Sequence, residues 1–178
     1  LLSRMQPGSV LVNLSTVNLE NAKELDAAAT ERGILCVDAP VTGAADGAAD
    51  GTLVIMCGGT DDALSAARPA LEAISASIHH MGPTSTGTAA KLLTNMLWFI
   101  HVTALSDSLS LATRCGIDVD TFATLVRDSA GNSWVAGHDL PNILADDDDE
   151  SFTLALCVKD LRLISEIESE MGYTSDLA

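Results

Sequence analysis

Strand-like and helix-like patterns alternate through the first 82 residues of this chain and then stop. Residues 9–14 (Ser-Val-Leu-Val-Asn-Leu) form a short apolar run suited to a buried strand. Residues 19–32 carry a helical pattern, Gly33 breaks it, and 34–37 read as a second strand. A Gly/Ala/Asp-rich loop over 42–51 follows, then a strand over 52–57 closed by Gly58-Gly59, a helix over 61–77 and a short strand at 78–80. This βαβ grammar requires a largely parallel, doubly wound sheet covered by helices. After Gly82-Pro83 no strand signal returns. Helices are expected over 85–115, with Gly116 as the stop, over 120–129, and over 152–171. The expected fold is therefore α/β plus all-α: a partial doubly wound Rossmann-type sheet in residues 1–82, then an all-helical domain in 83–178 entered through a long interdomain helix.

Composition narrows the partners. Twenty-five acidic residues against 9 basic ones leave a formal charge of -16, which repels nucleic acid and anionic membranes. The most apolar stretch, 96–105, falls well short of the roughly 20 residues a helix needs to cross a bilayer. Its run of Met96, Leu97, Trp98, Phe99 and Ile100 predicts a buried helix that meets another domain or subunit. Cys36, Cys57, Cys115 and Cys157 lie far apart with no metal-ligand spacing, so they are expected to be reduced core residues of a cytoplasmic protein, and no metal is expected. The acidic run at 146–150 lacks the glycine and alternation of a calcium loop and reads as a solvated segment. No G-x-G-x-x-G turn is present, and the chain starts at Leu1-Leu2 in what reads as the tail of a helix, so it is expected to be the C-terminal portion of a longer protein.

Within the long helix, Lys91 and Asn95 are four residues apart in Gly87-Thr88-Ala89-Ala90-Lys91-Leu92-Leu93-Thr94-Asn95 and share a face. By themselves they fit either a snorkelling lysine beside a polar neighbour or a proton donor beside a carboxamide that orients a substrate. Three linked motifs decide between these. They are Asp38-Ala39-Pro40-Val41-Thr42-Gly43 with Gly51-Thr52-Leu53-Val54-Ile55-Met56-Cys57-Gly58-Gly59, then Gly87-x-x-x-Lys91-x-x-x-Asn95, then Phe152 with Lys159-Asp160-Leu161. In that order and spacing the chain closely resembles the β-hydroxyacid dehydrogenases, the family of 3-hydroxyisobutyrate, tartronate semialdehyde and L-threonate dehydrogenases.

The resemblance implies an NAD(P)-dependent oxidoreductase that moves hydride between a nicotinamide and a small β-hydroxy acid or its semialdehyde. It implies NAD or NADP as cofactor, and a homodimer or homotetramer in the full-length protein. Lys91 matches the catalytic acid/base and Asn95 the residue that orients the substrate. Thr42, Gly43 and Ala44 match the loop that binds the substrate carboxylate, although an ordinary turn would also suit them. The family has Ser-Gly-Gly there; threonine keeps the hydroxyl and adds a methyl, while Ala44 lacks the freedom of glycine at φ > 0, so substrate identity does not carry over. Thr16 matches a position beside the nicotinamide ribose and equally suits the approach to a helix N-cap. Phe152 and Lys159 match residues that close over the cofactor, where an isolated Lys-Asp pair would be a surface feature. Asp160 is expected to be structural. Phosphogluconate dehydrogenases place histidine immediately before the asparagine, and Thr94 at that position favours a non-phosphorylated substrate. Two other readings follow from the same residues: a non-catalytic relative used for binding or assembly, or a portion that is inactive alone for want of the pyrophosphate-binding turn.

Overall fold

The computed structural model describes residues 1–145 and 152–176, so the acidic run at 146–150 lies outside the described residues. Strand and helix alternate in the first half as β1 (Val10–Asn13), α1 (Leu19–Thr30), β2 (Leu35–Asp38), β3 (Val41–Thr42), α2 (Ala44–Asp50), β4 (Leu53–Gly58), α3 (Asp61–Glu72) and β5 (Ser75–Gly82). The second half is helical: α4 (Thr86–Arg114), α5 (Val119–Asp128), a π-helical turn (Val135–Asp139) running into α6 (Leu140–Leu144), and α7 (Leu154–Met171). Side-chain caps fix where α1, α3 and α5 begin. Asn18 accepts the Asn21 N–H at 2.8 Å, Thr60 that of Ala63 at 3.2 Å and Asp118 that of Thr121 at 2.9 Å.

The five strands form one mixed sheet. β1 and β2 are parallel, as are β4 and β5, but β2 and β3 lie end to end against β4 and run antiparallel to it. The reversal follows from the segment read as a loop. Residues 42–51 fold as the seven-residue helix α2, and the chain from Thr42 to Leu53 is too short for the crossover of a dozen or more residues that parallel strands need. A second boundary moves for a tertiary reason. α3 ends at Glu72, before the expected 77, because pairing with β4 recruits Ser75 and Ser77 into β5.

Helices cover both faces of the sheet. Ala63, Leu64, Ala67 and Leu71 of α3 pack on Val37, Leu53, Ile55 and Cys57, while Ala29 of α1 packs with Ile34, Cys36 and Leu11 on the opposite face. Burial pushes the Cys36 and Cys57 thiols up to about 11, with the nearby Asp38 charge adding to the effect, so both stay protonated. Cys115, expected in a core, is exposed at the end of α4.

By compactness the chain divides into Leu1–Leu93 with Leu154–Thr174, and Thr94–Thr153 with Ser175–Ala178. The change of secondary-structure class at Gly82-Pro83 is thus not the change of packing unit: the first two turns of α4 and all of α7 belong with the sheet. Nor is the apolar stretch 96–105 buried. Each of its residues is at least partly exposed and Leu97 is 55% exposed, because the described residues of the second unit leave uncovered a surface that is apolar most of the way round. Among the described residues, no helix is long and apolar enough to cross a membrane.

Candidate functional site

The site is built on the junction between the sheet and the start of α4. Ser85 is buried and takes a left-handed φ of 75°, and its carbonyl accepts the first helical bond, from Ala89 at 2.9 Å. The cap comes from elsewhere in the chain. Asp38, at the carboxyl end of β2 and 3% exposed, accepts the Ser85 N–H on Oδ1 at 2.9 Å and the Thr88 N–H on Oδ2 at 2.8 Å. Burial raises its pKa above the usual carboxylate value, and the hydrogen bonds from Thr88 and Ser85 act in the opposite direction.

Two glycines make this approach possible. A Cβ on Gly58 would collide with Asp38 Oδ1, and one on Gly87 would collide with the Met56 carbonyl oxygen and stand 2.7 Å from that of Asp38. Helix backbone therefore rests directly on strand backbone, which only glycine allows. The Gly87-x-x-x-Lys91 spacing acquires a physical meaning here: one turn beyond the contact point, the helix carries the lysine.

Lys91 is half-buried, and its pKa is lowered from the ordinary 10.5. Burial is the main cause; the Asp160 charge opposes it and the Lys159 charge reinforces it. Those two residues arrive on α7. Asp160 is 2% exposed, its Oδ1 lies 2.8 Å from Lys159 Nζ, and Lys159 Nζ also donates to the Thr16 carbonyl oxygen at 3.1 Å. Thr16 follows β1 at the carboxyl edge of the sheet. The structure thus joins Thr16 and Lys159, 143 residues apart, and places Lys159 within electrostatic reach of Lys91. Asp160, expected to be structural, is buried beside Lys159, and its charge acts on Lys91.

The other expected residues occupy different stations. Thr42 ends β3 and is exposed, Gly43 has φ 125° and Ala44 has φ 51°. Alanine takes the left-handed conformation here despite its Cβ. The first-turn N–H groups of α2 start at this point and have no helical carbonyl to meet. Asn95 stands one turn beyond Lys91 along α4 but in the second unit, as does Phe152. Phe152 stacks on Phe99 with ring centroids 6.2 Å apart and meets Trp98 edge-on at 5.5 Å, and Trp98 Nε1 donates to Asp139 Oδ2 at 2.7 Å. No three His, Cys, Asp or Glu side chains among the described residues gather as a metal site.

Sequence reasoning missed Asp38 and Gly58. Asp38 did leave a signal, as the one charge ending the run Ile34-Leu35-Cys36-Val37, because a carboxylate at the end of a buried strand needs a partner.

Residues 85–178 match the family described as NAD-binding of NADP-dependent 3-hydroxyisobutyrate dehydrogenase, and residues 1–82 match the NAD binding domain of 6-phosphogluconate dehydrogenase. The NAD-dependent L-serine dehydrogenase of Pseudomonas aeruginosa is 37% identical over 134 residues, covering 75% of this chain and 45% of that protein. The structure of Mycobacterium tuberculosis 3-hydroxyisobutyrate dehydrogenase with L-serine is similar with a TM-score of 0.92 and 31% identity, over 99% of this chain and 63% of that one. Psf3 in complex with NADP+ and 2-OPP is similar with a TM-score of 0.84 and 25% identity, over 100% of this chain and 61% of that one. The chain therefore spans between 45% and 63% of the length of these three relatives.

Proposed function

We infer the activity from one premise: the chain belongs to the family of NADP-dependent 3-hydroxyisobutyrate dehydrogenases, the β-hydroxyacid dehydrogenases. We propose that the protein of which this sequence is part is an NAD(P)-dependent oxidoreductase acting on a small, non-phosphorylated β-hydroxy acid or its semialdehyde, with Lys91 as general acid/base. The observation that carries the proposal is the state of Lys91, an amine held in a desolvated position at the junction of sheet and helix with its pKa lowered from 10.5. An ordinary surface lysine is protonated throughout the neutral range and is a poor base. Withdrawal from water destabilises the ammonium and brings proton exchange closer to working pH.

The nicotinamide, when bound, accepts or supplies the hydride at the carbinol carbon. The chain's own task is the proton on the carbinol oxygen. Neutral Lys91 removes that proton during oxidation, and the ammonium returns it during reduction. Asn95, one turn along, offers a donor and an acceptor to orient the hydroxyl. The Thr42 hydroxyl and the N–H groups of Gly43 and Ala44 receive the substrate carboxylate. Lys159, a cation fixed at the carboxyl edge of β1 against Thr16, suits the anionic cofactor that binds at that edge in such sheets, and the family resemblance assigns Phe152 to the cofactor as well. The relatives support NAD in one case and NADP in another, so the cofactor is given as either.

The test uses the full-length protein. Lys91→Ala should lower kcat by about 10²- to 10⁴-fold, the usual worth of a general acid/base, while the KM for cofactor changes little. In the wild type, kcat/KM for oxidation should rise with pH as Lys91 loses its proton, with a midpoint below 10.5, and Lys91→Ala should lose that limb. A variant that keeps its rate and its pH profile would remove Lys91 from the chemistry.

A further inference from the structure

We propose that Asp38 is a positioning residue for Lys91: its carboxylate holds the first turn of α4 at one height and one rotation on the sheet, and so sets where the lysine amine stands. The inference rests on the acid/base reading of Lys91. In most helices the N-cap residue itself receives the N–H of the third helical residue. Here Ser85 holds the N-cap position in a left-handed conformation, and the N–H of Thr88, the third helical residue, goes instead to Asp38, 50 residues away in sequence. The second carboxylate oxygen takes the Ser85 N–H. One side chain on β2 thereby grips two successive points of the helix start, and a two-point grip fixes rotation as well as distance.

The glycines remove the remaining freedom. Gly87 cannot move towards the sheet, where the Met56 and Asp38 carbonyl oxygens already meet it, and Asp38 Oδ1 fills the space that a side chain on residue 58 would take. Lys91 follows Thr88 by three residues and shares its helix face, directly above the gripped turn. Slippage of the helix by one residue would turn that face by about 100° and shift it by about 1.5 Å, carrying the amine away from its place. A carboxylate at the helix N-terminus also complements the positive end of the helix dipole beneath Lys91.

Asp38→Asn in the full-length protein tests this. The amide keeps the shape but turns an NH2 group towards one of the two N–H donors, so one grip is lost. Below the melting temperature, kcat should fall by about 10- to 100-fold, the scale of a misplacement near 1 Å, with the KM for hydroxy acid and cofactor little changed. The second readout does not depend on activity. Reductive methylation followed by mass spectrometry compares labelling of Lys91 with that of the exposed Lys23, and in Asp38→Asn the Lys91/Lys23 ratio should leave the spread of replicate wild-type samples. If the melting temperature falls while kcat and the labelling ratio stay at wild-type values, Asp38 is a plain helix cap and the proposal fails. If wild-type protein shows no nicotinamide-dependent activity, the acid/base reading fails separately and the labelling ratio still decides whether Asp38 positions Lys91. Should Asp38→Asn not fold, Thr88→Pro, which deletes the Thr88 N–H and hydroxyl in the first helical turn and leaves the carboxylate, is judged by the same two readouts.

Discussion

The first two turns of α4 and the turns that follow them reverse what hydropathy suggests. The opening Thr-Gly-Thr-Ala-Ala-Lys is small and polar, yet it is gripped by Asp38, pressed against strand backbone, and includes the fully buried Thr88 ahead of Leu92. The later turns carry Leu97 and Leu111, and these are 55% and 63% exposed. Burial along one continuous helix is decided by what its neighbours can approach. Small residues let the sheet come close, and the large ones project from a part of the helix with little packed on it. The candidate acid/base sits at the end of the tight region, where a desolvated amine can be held in place.

The comparison is broken most severely at Gly87. Gly87→Ala pushes a methyl group into the Met56 and Asp38 carbonyl oxygens, neither of which can swing aside as a side-chain tip would. The expected loss is at least about 3 kcal/mol by urea unfolding, enough to abolish folding in a marginal domain. Next comes a matched pair. Leu92→Ala, at a fully buried position, should cost about 2–5 kcal/mol, and Leu97→Ala, five residues along the same helix, should stay within about 0.5 kcal/mol. Equal losses would show that the later turns are covered in solution and would erase the contrast between the two regions.

A smaller effect belongs to Ala44, which holds φ 51°. Ala44→Gly relieves a left-handed alanine at some cost in chain entropy, for a net gain of about 0.5–1 kcal/mol in thermal unfolding. The subtlest effect is the pH dependence of stability. Because the folded pKa of Lys91 is lowered from 10.5, the unfolded chain binds more protons between the lowered value and 10.5. The Lys91 contribution to stability, read as wild type minus Lys91→Met, should therefore rise with pH across that window, while the slope from the buried Cys36 and Cys57 thiols is common to both proteins and cancels. An unchanged slope would mean that Lys91 is not desolvated in the folded state.

Much of the architecture could be read from neighbours in sequence. The β1 run, the helices α1, α4 and α7, and the change of class at Gly82-Pro83 depend on periodicity, breakers and caps that act within a few residues. The errors have a common origin. The low-complexity stretch 42–51 became α2 and turned β4 antiparallel, and Ser75–Ser77 joined a strand because β4 was there to pair with it. For the candidate site, resemblance singled out Lys91, Lys159 and Thr16, whereas the hydrogen bond from Lys159 to Thr16 and the charge of Lys159 on Lys91 could not be read from sequence. Asp38 was quoted in a motif and given no role, since its partners lie 47 and 50 residues further on.

By itself, then, the sequence determined the order and class of elements, the excess of negative charge, and which side chains have the chemistry for proton transfer. These depend on local sterics, hydrophobic periodicity and composition. Tertiary structure decided which carboxylate caps α4, that Lys159 reaches Thr16, that Asp160 is buried beside Lys159, and that Lys91 is half-buried while Leu97 is largely exposed. Burial and through-space charge depend on atoms distant along the chain, and those distances exist only once the backbone has closed on itself.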